Sequence, residues 1–235
     1  MVTGGSAGIG LAICEQLLAE GCEVVSLSLE ACPLDHPKLH SLVVDLTDRA
    51  ATAAAAAELV RRFAPTVLVH NAGVIRPAPL PDVNLEDLDA LVELHLGCAI
   101  QLLQAVLPAM RAARSGRVVL LSSRAAAGLA TRTVYSATKA GLIGMARTWA
   151  LELAPEGITV NVVAPGPVRT GMFHAMVPAG SEQEAKLAAA VPVRRLGEPD
   201  DVARAVRFFA DPAAGFITGQ VLYVCGGTSV GSLVL

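Results

Sequence analysis

Aromatic residues are scarce in this 235-residue chain, at 3%, with one Trp, two Tyr and five Phe. Basic charge is not in excess either. Eighteen Lys and Arg stand against 21 Asp and Glu, for a formal net charge of −3 and a pI near 5.9. Such a chain lacks the basic, aromatic surface that holds nucleic acid and the basic face that grips an anionic membrane. Neither is expected as a partner. Cysteine is present but unpaired in pattern: Cys14, Cys22, Cys32, Cys98 and Cys225 are odd in number and include no CxxC. That argues against a disulfide framework and a zinc site, so no metal is expected. Buried thiols in a reducing cytoplasm are the natural reading. Mean hydropathy is high at +0.55, yet uninterrupted apolar runs are missing. A membrane span needs ~20 such residues. The Ala-rich run 50–57 is broken by Thr52 and flanked by Arg49 and Glu58, and the stretch 91–109 carries Glu93, His95, Gln101 and Gln104. The first residues also lack the basic start and apolar stretch of a signal peptide.

What is present is apolar and regular. Hydrophobic residues make up 53% and charged ones 17%, which suits one folded domain with a large core. Short Val-, Leu- and Ile-rich runs at 23–29, 42–44, 66–70, 117–121, 159–163 and 221–224 read as strands buried on both faces. Helical stretches lie between them, at 9–19, 49–63, 85–113, 134–153 and 200–209. Gly21 suits the end of the first, Asp48 can cap the second, and Pro199 suits the start of the last. Strands alternating with helices predict an α/β fold: a single doubly wound, Rossmann-type domain spanning residues 1–235, with about seven parallel strands covered on both faces. Two places are irregular. Residues 30–41 contain Pro33 and Pro37 and leave little room for a crossover helix. Only Met1 and Val2 precede the first glycine-rich turn, so a central strand of ordinary length would need further residues upstream.

That turn, Thr3-Gly4-Gly5-Ser6-Ala7-Gly8-Ile9-Gly10, joins the strand stub to a helix. Glycine lets backbone approach a pyrophosphate, and a helix N-terminus offers free N–H groups and a positive dipole end. Glycine-rich turns also simply end strands, so the turn alone is a modest signal. Farther on, Tyr135 and Lys139 stand four apart on a predicted helix and share a face. A nearby ammonium favours phenolate and would lower the tyrosine pKa, fitting it to exchange a proton with a carbonyl oxygen. Lysine is rare here, present only at 38, 139 and 186.

The turn resembles the TGxxxGIG motif of the short-chain dehydrogenase/reductase family, and further motifs follow in that family's order. They are Asn71-Ala72-Gly73, Ser122-Ser123, the YxxxK of Tyr135 to Lys139, the N-x-x-x-P-G stretch from Asn161 to Gly166, and Thr218-Gly219-Gln220 with Gly226-Gly227. The likeness runs the length of the chain and is similar to the branch with 3-oxoacyl-carrier-protein reductases, polyol dehydrogenases and hydroxyacid dehydrogenases. It implies a dinucleotide-dependent oxidoreductase acting on a secondary alcohol or ketone, and a homotetramer. By the family pattern Tyr135 donates the proton, Lys139 also binds the nicotinamide ribose, and Ser123, as the second serine of its pair, polarises the carbonyl. The dinucleotide would lie against Gly4, Ser6, Gly8, Ile9 and Gly10, then Ser28 and Leu29, Asp45 and Leu46, Asn71, Ala72 and Gly73, and finally Pro165, Gly166, Val168 and Thr170.

The family's pattern is not complete. His95 occupies the place of an asparagine that supports a water chain to the lysine, and His70 stands where many relatives carry the first Asn of NNAG. A histidine at 95 either serves the proton relay, where its charge can change near neutral pH, or is a satisfied core residue. Met172, Phe173, Met176 and Val177 read as a substrate lid or as a helix seam. Arg124 and Arg132 flank the site and either meet an anionic substrate or are solvated loop charges. At the end of the second strand, Ser28-Leu29-Glu30 offers no basic residue, and none occurs from 26 to 34. Glu30 would repel a 2′-phosphate, which favours NAD, while a small residue such as Ser28 can still admit NADP through backbone contacts. The other class of function, a dinucleotide-binding sensor or scaffold without catalysis, is disfavoured by the intact Ser123, Tyr135 and Lys139.

Overall fold

Short Val, Leu and Ile runs line up as one seven-stranded parallel sheet in the computed structural model, which describes residues 1–230. In chain order the strands are β1 (Val2–Thr3), β2 (Val24–Ser28), β3 (Leu39–Val43), β4 (Val67–His70), β5 (Gly116–Leu121), β6 (Ile158–Pro165) and β7 (Val221–Val224). Across the sheet they run β3-β2-β1-β4-β5-β6-β7, so the order reverses between β1 and β4. Strands β2, β5 and β6 are buried along their whole length and are mostly apolar, with Ser26, Ser28, Arg117, Thr159 and Asn161 as the buried polar exceptions. The edge strand β3 starts three residues earlier than the expected 42–44, because Leu39, His40 and Ser41 are partly solvated and carry no apolar run.

The helices are α1 (Gly8–Ala19), α2 (Arg49–Arg62), α3 (Leu85–Val92), α4 (Cys98–Ala113), α5 (Thr133–Leu153), α6 (Gly171–His174), α7 (Glu182–Ala190) and α8 (Pro199–Ala210). Successive strand residues point to opposite faces, so each face collects its own core. Leu27, Leu68, Leu120 and Val160 pack with Leu59 of α2, Leu102 and Met110 of α4, and Leu142 of α5. Val2, Val69, Val119 and Val163 pack with Ile13 and Leu17 of α1 and with Val206 and Phe209 of α8. Each fully buried Leu or Phe contributes roughly 1.5–3 kcal/mol. Asp48 accepts from the N–H groups of Ala50 and Ala51 at the start of α2, and Gly21, at φ +81°, closes α1. Residues 29–38 form no regular element, as the prolines suggested.

Strand β1 is two residues long yet pairs with both neighbours, Val2 with Ser26 and Val69, Thr3 with Leu27 and His70. The Thr3 hydroxyl carries the pairing past the strand's end by accepting from the N–H groups of Asn71 (3.0 Å) and Ala72 (2.9 Å).

Two expectations need correction. The helix expected over 85–113 is continuous, but a π turn at Glu93–Gly97 separates α3 from α4. Gly97 leaves room for the Glu93 carboxylate, which would lie 2.8 Å from any Cβ there and which pairs with Arg49. By length and composition this run, Leu85–Ala113, is apolar enough to cross a membrane. Its apolar stripe, including Leu91, Leu102 and Val106, is fully buried within the protein. The second correction is α7, a helix absent from the sequence reading. The stretch from Gly226 to Leu235, apolar but for Thr228, Ser229 and Ser232 and expected from the sequence to suit burial against a neighbouring subunit, lies in part at 231–235, outside the described residues.

Candidate active site

The reversal of strand order opens a crevice at the C-terminal ends of β1 and β4, where ligands of open α/β sheets bind. A cleft of about 940 Å³ lies there. One wall is the turn between β1 and α1, with Gly4, Ser6, Gly8 and Ile9; another is Asn71, Ala72 and Gly73 after β4. Ser123, Tyr135 and Lys139 form a third, and Pro165, Gly166, Val168 and Thr170 a fourth. Met172, Phe173, Met176 and Val177 close over it, with Leu187 of α7 and with Val191.

The glycine turn suits a dinucleotide phosphate. Helix α1 has Ala7 at its N-cap, with no side-chain cap and no acid in its first turn, so its free N–H groups keep their positive end. Gly4 and Gly8 adopt φ of +66° and +54°. Gly10 lies beneath the floor, where a Cβ would meet the Gly4 carbonyl oxygen at 1.9 Å. Asn71 clamps the turn by donating from Nδ2 to the carbonyls of Thr3 (3.1 Å) and Gly4 (3.2 Å). Four other residues expected at the cofactor lie outside this cleft. Ser28 is buried with its hydroxyl 3.2 Å from that of Ser26, and Leu29 beside it is 68% exposed. Leu46 is a core residue, and Asp45 is exposed, its carboxylate accepting from the Thr47 hydroxyl and N–H. All four lie at or just after the C-terminal ends of β2 and β3, on the same edge of the parallel sheet as the glycine turn.

The two serines after β5 differ. The Ser122 hydroxyl is buried and donates to the carbonyl of Lys139 at 2.7 Å. Ser123 faces the cleft, where its hydroxyl accepts from the Ala125 N–H and sits beside Tyr135. Lys139 is 3% exposed, and its Nζ donates to the Leu121 carbonyl at 2.7 Å. Burial lowers its pKa to about 7. Tyr135 departs from the expected direction. Burial raises its pKa, and the opposing pull comes from Ser123 and the Arg132 guanidinium rather than from Lys139.

His95 is fully buried on the π turn. Its Nε2 accepts from the Val74 N–H (3.3 Å), which assigns the proton to Nδ1, 2.8 Å from the Thr138 hydroxyl. Thr138 in turn donates to the Tyr135 carbonyl, and the His95 ring meets the Tyr135 ring edge-on at 5.8 Å. Burial, then Lys139 and His70, lower the His95 pKa to about 2. A change of charge near neutral pH is therefore not available to it. His70 is also buried and neutral, with a pKa lowered to about 3 by burial and then Lys139. It sits between the Thr3 hydroxyl and the His95 carbonyl.

These two histidines make stability depend on acid. Their folded pKa values lie below the unfolded value of about 6.5, so the unfolded chain binds more protons as pH falls through that value. Stability should drop between pH 7 and pH 5 by about 2 kcal/mol per histidine. Urea melts of wild type, His70→Asn and His95→Asn at both pH values check this. A wild-type stability that is flat across that window would exclude it.

Among the described residues no cluster of three His, Cys, Asp or Glu side chains is placed to hold a metal. The chain as a whole is similar to many known proteins. A family model described as enoyl-(acyl carrier protein) reductase matches residues 4–229. The 3-oxoacyl-(acyl-carrier-protein) reductase FabG of Escherichia coli K12 is 36% identical over 235 residues, covering 97% of this chain and 95% of its own. A solved short-chain dehydrogenase/reductase oxidoreductase of Burkholderia thailandensis superposes with a TM-score of 0.91 at 33% identity, covering 99% of this chain and 93% of its own. The chain belongs to the short-chain dehydrogenase/reductase family. A third relative, a blue fluorescent protein from a metagenomic library solved in complex with NADPH, has a TM-score of 0.84 at 32% identity and covers 96% of this chain and 95% of its own.

Within this family member, sequence reasoning missed the part of the cleft contributed by α7 and the turn after it, including Gln183, Leu187 and Pro192. A signal was there. Ser181 precedes Glu184 by three residues, the pattern of a capped helix start, and its hydroxyl accepts from the Glu184 N–H at 3.2 Å.

Proposed function

We propose that this protein is an NAD(P)-dependent oxidoreductase that interconverts a ketone and a secondary alcohol. The observation that carries the reading is the convergence of Ser123, Tyr135 and Lys139 on one wall, beside a glycine turn with free helix N–H groups. The nicotinamide, when bound, supplies or accepts the hydride. Tyr135, held in its protonated form at neutral pH by burial, gives its proton to a ketone oxygen. Ser123 polarises the same oxygen with its hydroxyl. Lys139 spends one donor on Leu121 and has others for ribose hydroxyls, while the pull toward the phenolate left behind comes from Ser123 and the Arg132 guanidinium. His95 and Thr138 hold the tyrosine in place from the core side.

NAD is the proposed dinucleotide, on the absence of any basic residue from 26 to 34 and the presence of Glu30. The adenosine half would extend from the glycine turn along the ends of β2 and β3. Calorimetric titration with NADH and, separately, NADPH at one fixed salt concentration tests both claims. NADH is expected to bind at least tenfold more tightly. Tighter NADPH overturns the choice of dinucleotide, and binding of neither overturns the oxidoreductase.

The assembly is proposed to be a homotetramer, supported by large apolar side chains left on the outer surface: Ile100 of α4 and Leu151 of α5 on one side, Phe208 of α8 and Phe216 on another. Its compartment is proposed to be the cytoplasm, where five unpaired cysteines stay reduced.

A further inference from the structure

Net charge over the chain is −3, yet the cleft is lined by no Asp or Glu. Its charged residues are Lys139, Arg124 and Arg132. Lys139 is accounted for by the Leu121 carbonyl and the reaction centre. The two arginines are not. Arg124 follows Ser123 directly and, among the described residues, has no hydrogen-bonded or ionic partner. Arg132 reaches only neutral acceptors: the Thr131 carbonyl at 3.3 Å, the Thr131 hydroxyl, and the Met176 sulfur at 3.0 Å. Contrast Arg169, between the cleft-lining Val168 and Thr170, which is neutralised by Glu184 (2.8 Å) and Glu198 (2.6 Å). Half-buried guanidinium groups normally find carboxylates; these two face a cavity instead.

Arg132 is also held in position. The Ala78 N–H donates to the Thr131 carbonyl at 3.0 Å, and Thr131 takes a φ of +64°, a left-handed conformation costly for a β-branched residue. Arg132 is the N-cap residue of α5, three positions before Tyr135, and its guanidinium charge acts on the Tyr135 phenol. The guanidinium touches the lid through Met176, so it spans the gap between the tyrosine and the closing segment.

We infer that Arg132, with Arg124 at the rim, forms an anion subsite that binds a carboxylate carried by the substrate a few carbons from the reacting carbonyl. The substrate class is thus a small oxo acid and its hydroxy acid, with the rest of the contact made by apolar residues such as Leu129, Met172 and Phe173. An oxyanion could also come from the phosphate at the far end of a pantetheine arm. That phosphate lies too far from its thioester carbonyl to sit beside Tyr135 while the carbonyl does. The inference rests on the ketone–alcohol reading above and adds the substrate's charge to it.

The test compares 3-oxobutanoate and 4-oxopentanoate with their methyl esters, and with acetoacetyl-coenzyme A, as substrates for wild type, Arg132→Gln, Arg132→Lys and Arg124→Gln. Calorimetric binding of malonate to the protein with saturating dinucleotide is measured in parallel. Wild type is expected to favour at least one acid over its ester by more than tenfold in kcat/KM. Arg132→Gln should lose about 100-fold on that acid, chiefly through KM, and at most about tenfold on the ester, where only its pull on the Tyr135 phenol is missing. Arg132→Lys should recover part of the loss, since it keeps the charge without the planar fork. Arg124→Gln should cost less, about three- to tenfold. Equal use of acid and ester, an equal loss on both in Arg132→Gln, or a preference for the coenzyme A thioester would overturn the subsite. Should no carbonyl compound turn over at all, the oxidoreductase reading falls by itself. Malonate binding that weakens tenfold or more in Arg132→Gln would then still uphold the anion site, and absence of malonate binding would overturn it. Arg132 makes no ion pair, so its removal leaves no partner charge buried, and melting curves should show both variants folded.

Discussion

Replacing Tyr135 with phenylalanine is expected to lower kcat by about a thousandfold and to leave dinucleotide affinity within about twofold. The substitution removes one oxygen and keeps the ring that packs edge-on against His95, so the wall of the cleft should survive. What is lost is the proposed acid beside Ser123; among the described residues, Lys139 directs its Nζ to Leu121 and His95 is sealed in the core. The sign of the pH dependence follows from burial. Tyr135 is pushed above the ordinary phenol value and holds its proton at neutral pH, ready for ketone reduction. Alcohol oxidation needs the phenolate, so its rate should climb with pH toward the tyrosine's own titration. In Tyr135→Phe that climb should vanish together with the rate. Steady-state kinetics in both directions, with calorimetry on the same preparations, decides the matter. A variant that retains near-wild-type turnover would remove Tyr135 from the chemistry altogether.

Much of this geometry was legible in the sequence because burial writes itself into composition. Strands covered on both faces read as short runs rich in Val, Leu and Ile, and the caps at Asp48, Gly21 and Pro199 mark helix ends by chemistry that needs no tertiary context. The edge strand β3 was harder to delimit for the same reason, since solvent on its outer side relaxes the pattern at His40 and Ser41. The spacing of Tyr135 and Lys139 places them on one face, but spacing does not encode which way a pKa moves. That depends on how deeply each group is buried, and here burial outweighs the neighbouring charge for Tyr135. The π turn under His95 left no signature beyond a glycine four residues after a glutamate. Its consequence is large: it carries the histidine inward, where both ring nitrogens are engaged and its titration is suppressed. The left-handed Thr131 that sets Arg132 was equally invisible, because threonine is not a residue that advertises positive φ.

A second large effect is expected at Gly10, where alanine should destroy dinucleotide binding and destabilise the fold by about 2–3 kcal/mol. Helix propensity pulls the other way. Gly10 lies within α1, and alanine in a helix interior is favoured by about 1 kcal/mol over glycine. The added methyl would nevertheless fall 1.9 Å from the Gly4 carbonyl oxygen and 2.6 Å from Asn71 Nδ2. Neither can yield cheaply. Gly4 is backbone at φ +66°, and Asn71 already donates to two carbonyls of the turn. Relief must come from lifting α1 away from the turn, which moves the free N–H groups that would meet the phosphates. Gly21→Ala provides the control. It sits at the far end of the same helix at φ +81°, with only the Lys38 ammonium within 4 Å of an added Cβ, at 3.9 Å. It should cost about 1 kcal/mol in stability through backbone strain while leaving affinity unchanged. Urea melts and calorimetric titrations of both variants separate the two effects. If Gly10→Ala binds a dinucleotide as wild type does, the close approach of turn and helix is not what shapes the phosphate site, and the uncapped N–H groups alone must hold it.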